Sequence, residues 1–382
     1  MRRVALVLSA AAVLAASALA YGLWQLLERG FRVRPSKRPL DILIEPAGPG
    51  LVRLRSRRGT ADPGIAAGGV MGLAWDGGYG RAGRVAESGR GWVTREFEPV
   101  IGALEGTVPG RLDSFAFPVD PLTAHGFPFE AIALEGELCG LPAWYIPGDR
   151  QTWAIFVHGK GAWRGESLRA LPVVRELGMP ALAITYRGDE GLASDPSGWY
   201  GYGTTEWRDL ECAVRHARDG GAEDVVVFGY SMGGAIALSF VRNSELAGMA
   251  AGLVLDAPLL DLQATVRWQM RRYPGLFAAA LLRAARLAGI DWRQFDSLPD
   301  ADRLRCPILL FHGGADPDVP VATSDALAEA RPDLVRYVRV AGAGHVLSWN
   351  SDPAAYEAAL RELLQPPLGP RGEPAGFEVD KG

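Results

Sequence analysis

Lysine is nearly missing from this chain. It occurs only at positions 37, 160 and 381, and arginine supplies the rest of the 40 basic side chains. We read this as coding bias without mechanistic weight. The bases are offset by 44 acidic residues for a net charge of −4, which leaves no electrostatic footprint for nucleic acid. Cysteine is scarce as well. Cys139, Cys212 and Cys306 lie far apart, form no C-x-x-C pair and are odd in number. That spacing argues against a disulfide framework or a structural zinc site and leaves buried free thiols as the expectation. The five histidines show neither H-E-x-x-H nor another paired spacing, so no catalytic metal and no cofactor is expected. With 48% hydrophobic and 22% charged residues in 382, what remains is ample for a globular core in two domains, or one large domain with additions.

The longest apolar run is N-terminal. Val4–Leu27 is broken only by Ser9, Ser17, Gly22 and Gln25, and as a helix it would span about 36 Å, enough to cross a bilayer. Residues 1–28 are therefore expected to be a membrane anchor, because Leu23-Trp24-Gln25-Leu26-Leu27 extends the run. The alternative is a signal peptide cut after Ala20, leaving a secreted chain. Basic residues after the run (Arg29, Arg32, Arg34, Lys37, Arg38) outnumber Arg2 and Arg3 before it, which leans toward a cytoplasmic catalytic domain.

Residues 29–128 are rich in glycine and arginine. "LDILIE", "LVRLRS", "VMGLAW" and "GWVTREFEPV" are short β-type runs, so a small β-rich accessory region without a catalytic constellation is expected. "GGVMGLAWDGGYGRAG" lacks the Gly-Lys-Ser/Thr ending of a phosphate loop and reads as a turn-rich hairpin. From residue 129 to 365 the rhythm changes. "AIALEG" and "LPAWYI" read as a hairpin, and "WAIFVH", "ALAITY", "VVVFGY", "GLVLD", "PILLFH" and "VRYVRV" follow as apolar runs. Helical patterns at 166–178, 204–219, 231–243, 322–331 and 353–364 alternate with them. This predicts an α/β fold with an eight-stranded, mostly parallel sheet and helices on both faces. The insertion 259–304 is expected to form a small helical lid. The tail 366–382, rich in proline and glycine, is expected to be disordered.

"VVVFGYSMGGAIALSF" (225–240) carries the chemistry. In so glycine-rich a chain Gly229-x-Ser231-x-Gly233 alone means little, but a buried strand precedes it and a small-residue helix follows, as a nucleophile elbow requires. Ligands meet a parallel sheet at the carboxyl ends of its strands. There "PILLFH" is followed by Asp316 and "VRYVRV" by His345, which gives the order Ser…Asp…His. Ser231 is then the expected nucleophile, His345 its base and Asp316 the acid that holds the imidazole tautomer. The backbone N–H groups of Met232 and Lys160 are the expected oxyanion donors. Asp256 after "GLVLD" is a serious rival acid and Asp318 a nearer one. His158 and His312 are assigned to loop packing, and His125 and His216 to no role.

With these motifs, His158-Gly159, "HGGADPDVP" and "GAGH", residues 129–365 resemble the α/β-hydrolase superfamily of serine hydrolases. "TYRGDEG" (185–191), "TEWRDLE" (205–211) and "SWNSDP" (348–353) further resemble a bacterial membrane-associated or secreted group of undefined substrate, which often carries Tyr-Arg-Asn-Asp where this chain has Tyr186-Arg187-Gly188-Asp189. The Gly-x-Ser-x-Gly-Gly form is also similar to that of serine aminopeptidases and prolyl-oligopeptidase relatives, although residues 29–128 are too few for the latter's propeller.

The expected function is hydrolysis of an acyl bond in a small-molecule ester or amide, with esterase- or lipase-like chemistry leading. A peptidase or amidase would need a carboxylate near the pocket for the substrate amine, and Glu166, Asp189 and Glu190 are the residues available. A membrane-tethered interaction protein without catalysis is disfavoured by the complete Ser, Asp and His set.

Overall fold

The computed structural model describes residues 21–33, 39–57, 64–66, 68–189, 191–287 and 289–365. Ahead of the main sheet, strands β1 (Ile42–Gly48), β2 (Leu51–Ser56), β3 (Met71–Trp75), β4 (Gly78–Gly89), β5 (Trp92–Ile101) and β6 (Val108–Asp113) close into an antiparallel barrel in the order β1-β2-β5-β4-β3-β6. Ile44, Val52, Leu54 and Leu73 fill it. The expected hairpin is β3–β4, joined at Asp76-Gly77. β4 was not legible as a strand because glycine recurs along it. Those glycines make room for neighbouring aromatic rings: a Cβ at Gly78 would fall 2.2 Å from the Trp75 ring, and one at Gly80 2.3 Å from that of Phe97.

Eight further strands form the main sheet in the order β14-β13-β12-β11-β9-β10-β8-β7. They are β7 (Glu130–Glu135), β8 (Gly140–Ile146), β9 (Thr152–Val157), β10 (Ala181–Ile184), β11 (Asp224–Tyr230), β12 (Ala250–Asp256), β13 (Ile308–Gly313) and β14 (Val335–Val340). β9 to β14 pair in parallel, and the β7–β8 hairpin adds antiparallel to β10. The inner strands are buried along nearly their whole length, which is why they read as unbroken apolar runs. Alternate residues feed two cores: Ile155, Val227 and Leu310 face one, Phe156, Phe228 and Phe311 the other.

Helix α1 covers residues 21–31, and α2 is the short Pro121–His125. On one sheet face lie α4 (Trp207–Asp219) and α5 (Met232–Asn243). On the other lie α3 (Leu171–Glu176) and, at the C-terminal side, α10 (Pro353–Leu364). The insertion between β12 and β13 holds α6 (Leu262–Gln269) and α7 (Gly275–Leu287) with two 3-10 turns. α8 (Ala322–Ala330) and α9 (Ser348–Ser351) follow β13 and β14 respectively.

The expected membrane segment falls largely on residues that are not described. Residues 1–20 lie outside the described residues, as does the tail 366–382. No helix among the described residues is long and apolar enough to cross a membrane. The apolar residues past Ala20 are divided: Tyr21, Trp24 and Leu26 stay exposed, while Leu27 and, beyond it, Phe31 meet protein. Leu27 and Phe31 are buried in the main core, and the Phe31 ring sits 5.2–6.3 Å from those of Trp199, Tyr202, Trp292 and Phe295. The Val33 N–H donates to Gly198 O and the Tyr200 N–H to Phe31 O, which seats the end of α1 on the loop before α4. The cysteines are unpaired, but only Cys306 is fully buried, and Cys139 and Cys212 are half-exposed.

The barrel is held to the main sheet by Asn350. Its amide donates to Val70 O at 2.6 Å and Ser114 O at 2.8 Å, and its Oδ1 accepts from Arg169 at 2.9 Å. Asn350→Ala leaves two carbonyls and a guanidinium N–H without partners in a dry joint. A loss of about 2–3 kcal/mol is expected, read by thermal unfolding as a Tm lower by roughly 2–4 °C for a chain of this size. A Tm within a degree of the parent would show that the joint does not depend on this amide.

Candidate active site

Ser231 sits where β11 turns into α5, at φ +50 and ψ −112, a strained conformation for a residue with a side chain. The turn works because its neighbours are glycine. A Cβ at Gly229 would lie 2.7 Å from Gly233 O, and one at Gly233 would lie 2.1 Å from Val157 O on β9. The Ser231 N–H donates to Asp256 O, and Ser231 O accepts from Gly234 and Leu259, so the elbow is fixed on both sides.

His345 follows β14. Its Nε2 is 2.9 Å from Ser231 Oγ and its Nδ1 is 2.7 Å from Asp316 Oδ2. Asp316 is buried, and four donors converge on it. The N–H groups of Asp318 and Val319 reach Oδ1 at 2.8 and 2.9 Å, while His345 and, at 3.2 Å, His312 Nε2 reach Oδ2. Burial alone would raise the Asp316 pKa, but the bonds from His312 and His345 reverse that and hold it well below the carboxylate range. Burial pulls the His345 pKa down, and the bond and charge of Asp316 more than offset this, so the imidazole is more basic than usual.

Neither rival acid is hydrogen-bonded to His345. Asp256 accepts from the Ser348 hydroxyl at 2.7 Å, its Oδ2 has no hydrogen bond, and burial pushes its pKa up to about 6. Asp318 is exposed and approaches the site by its N–H. His158 is a packing residue, stacked on Tyr186 with its Nδ1 at Gly159 O. His312, assigned to packing, proves to be a direct partner of Asp316, and its Nδ1 faces Ser324 Oγ at 2.7 Å. Its place at a strand end four residues before Asp316 was the signal available in the sequence.

The loop after β9 is drawn against the elbow at Gly159, where an added Cβ would sit 3.3 Å from Ser231 Cβ. Met232 is the first residue of α5, so its N–H has no acceptor within the helix. The Lys160 side chain turns away from Ser231. Its ammonium donates to Gly30 O and to Tyr202 Oη, and burial lowers its pKa to about 8.

Of the carboxylates named for a substrate amine, Glu166 is buried against Arg169 at 3.1 Å and accepts the Gly159 N–H at 2.8 Å. Asp189 is buried and accepts from Tyr200 Oη. Glu190 lies outside the described residues. The "TYRGDEG" and "TEWRDLE" stretches meet away from the triad, where Arg187 forks onto Asp209 at 2.8 and 2.9 Å.

Two cavities flank Ser231 and His345. One, of about 360 Å³, mixes polar and apolar walls and is shared with the barrel region through Asp41, Arg111 and Asp113. The other, of about 450 Å³, is mainly apolar, with leucine, methionine and aromatic side chains from α1 and the 259–304 insertion among its lining. No residue of 29–128 was expected at the site. Among the described residues one His/carboxylate group, Asp316, Asp318 and His345, has ligand atoms within 4.8 Å of one another. A cation there would have to take the imidazole nitrogen from Asp316.

This geometry can pass a proton from a hydroxyl to an imidazole whose tautomer is set from behind. Replacing Asp316 with Asn removes the charge that makes His345 basic. The imidazole pKa, followed by NMR titration, is expected to drop below its parent value. An unchanged pKa would mean that another carboxylate sets it.

The family model described as the alpha/beta hydrolase family matches residues 154–359, more than half of the 382. An uncharacterised protein of Mycobacterium tuberculosis is 27% identical over 220 residues, which is 54% of this chain and 68% of the relative. Dipeptidyl aminopeptidase BIII of Pseudoxanthomonas mexicana is 28% identical over 239 residues, 58% of this chain but 34% of the relative. An esterase of Pyrococcus furiosus superposes with a TM-score of 0.54 at 19% identity, covering 66% of this chain and 97% of the esterase. The acylaminoacyl peptidase of Pyrococcus horikoshii does so with 0.51 at 16% identity, covering 87% of this chain and 56% of the peptidase. The two superpositions speak to the fold alone. With the family model spanning β9 to α10 and the elbow at its centre, the chain belongs to the alpha/beta hydrolase family.

Proposed function

We propose that the protein is a serine hydrolase that cleaves an acyl bond through a covalent acyl-enzyme. The observation that carries this reading is the chain of contacts from Ser231 Oγ to His345 Nε2 at 2.9 Å and from Nδ1 to Asp316 at 2.7 Å, on a positive-φ elbow. Ser231 attacks the carbonyl carbon while His345 takes its proton. The tetrahedral oxyanion is met by the N–H groups of Met232 and Lys160. Collapse expels the leaving group, which takes the proton back from His345, and water repeats the sequence to release the acid.

An ester with an apolar acyl arm is the leading substrate class, since the larger cavity beside Ser231 is apolar. Residues 259–304 act as its lid: Leu281 lines the cavity, whereas Leu282 contributes its carbonyl to Trp292 Nε1. Amide or peptide cleavage is the second reading. It is favoured by the similarity to an aminopeptidase and by Asp41 in the smaller cavity, where a substrate amine has a carboxylate to meet.

A fluorophosphonate probe should label the protein once, and Ser231→Ala should abolish labelling and turnover while the fold persists. With p-nitrophenyl esters and aminoacyl-p-nitroanilides as substrates, Asp316→Asn should lower kcat by roughly 10³–10⁴-fold, against under about tenfold for Asp318→Asn. Asp256→Asn should retain most activity per folded molecule. A larger loss in Asp256→Asn than in Asp316→Asn would move the acid to β12. Because His345 must be neutral to accept a proton, and its pKa is raised, kcat/KM should fall with decreasing pH from above the usual histidine value.

For localisation we propose targeting confined to residues 1–20. With α1 committed to the protein core, Val4–Ala20 is left as the apolar run, about 25 Å as a helix and at the short limit for a span. Export with cleavage after Ala20 then becomes the better reading than an anchor. Sequencing the N-terminus of native protein should find Tyr21. Retention of residues 1–20 in carbonate-washed membranes would restore the anchor.

A further inference from the structure

We propose that helix α1 is the outer wall of the acyl subsite, so that a segment N-terminal to the family-matching region selects substrates with long acyl chains. The inference rests on the serine-hydrolase reading above. It begins with the apolar cavity. Its lining includes Met270, just past α6, and Leu281 of α7, together with Leu26, Leu27 and Phe31 of α1. Ser231 and His345 line the same space, so an acyl group esterified to Ser231 would extend into it. Its volume, about 450 Å³, falls in the range of small-molecule sites.

A wall made from a terminal helix must be held, and Lys160 holds it. The last carbonyls of a helix lack intrahelical partners and carry the negative end of its dipole. Gly30 O, in the last turn of α1, receives both the Lys160 ammonium and the Tyr202 hydroxyl, and those two groups are 2.6 Å apart. A lysine in a chain nearly devoid of lysine thus spends its charge on the helix end rather than on solvent. Lys160 acts here as a positioning residue: its side chain clamps the wall, and its backbone belongs to the loop beside Ser231.

The test separates subsite binding from turnover. Decanoate is titrated by calorimetry into full-length Ser231→Ala protein and into the same protein carrying Leu27→Ala, Lys160→Met or Leu281→Ala. Leu27→Ala and Lys160→Met should each raise the decanoate Kd about five- to tenfold, as Leu281→Ala does from the insertion. With Ser231 restored, kcat/KM for the decanoyl p-nitrophenyl ester should fall by the same factor relative to the acetyl ester. If Leu27→Ala does not fold, Leu26→Ala, at a half-exposed position on the same wall, replaces it. Parent affinity in the α1 and Lys160 variants, or no decanoate binding in any protein, overturns the proposal. Decanoate binding that depends on α1, in a protein with no Ser231-dependent turnover, upholds the wall and defeats the hydrolase reading instead.

Discussion

The buried ion pair between Glu166 and Arg169 is the contact on which the site's shape depends. Glu166 takes the Gly159 N–H with one oxygen and Arg169 with the other. Arg169 goes on to Val346 O at 2.7 Å, just past His345, and to Asn350, which grips the barrel. One network therefore reaches the loop beside Ser231, the loop that carries His345 and the accessory barrel. Removing one member would strand a charge away from water, at a cost of about 3–5 kcal/mol. The same argument makes the pair a poor source of net stability and a strict source of geometry: it works only when all three segments are in place.

The candidate acid shows how the protein substitutes for water. Asp316 has its oxygens filled by two backbone N–H groups and two imidazoles, so it remains an anion although buried. Asp256 is as deeply placed but has one hydroxyl partner and an unfilled oxygen, and burial wins there. Two carboxylates at adjacent strand ends thus have pKa values shifted in opposite directions, because only at Asp316 do the donors outweigh burial.

This contrast marks what a sequence can disclose. The eight main strands were legible because both sheet faces are covered and each strand is a continuous apolar run. Ser231, Asp316 and His345 were legible because strand ends in a parallel sheet share one edge. Choosing Asp316 over Asp256 was legible only as an argument about neighbouring strands; the donors that settle its ionisation come from His312 and from turn geometry. Glu166, Arg169 and Asn350 were not legible as a unit, since their pairing across 181 residues exists only in the folded chain. The run that ends in α1 was ambiguous for a different reason. Hydropathy measures how strongly a segment leaves water, not whether lipid or protein receives it, and Leu27 and Phe31 are received by protein.

Phe31 packs against Trp292 and Phe295, more than 250 positions later in the chain. A ribosome delivers α1 first, the loop at 198–202 midway and Trp292 and Phe295 near the end, so during synthesis the seat of the helix stays incomplete until most of the polypeptide has emerged. Closing so large a loop is slow compared with forming any local contact. The apolar cavity is accordingly among the last features of the molecule to be completed. Until then Leu27 and Phe31 stay available to whatever factor receives nascent apolar segments.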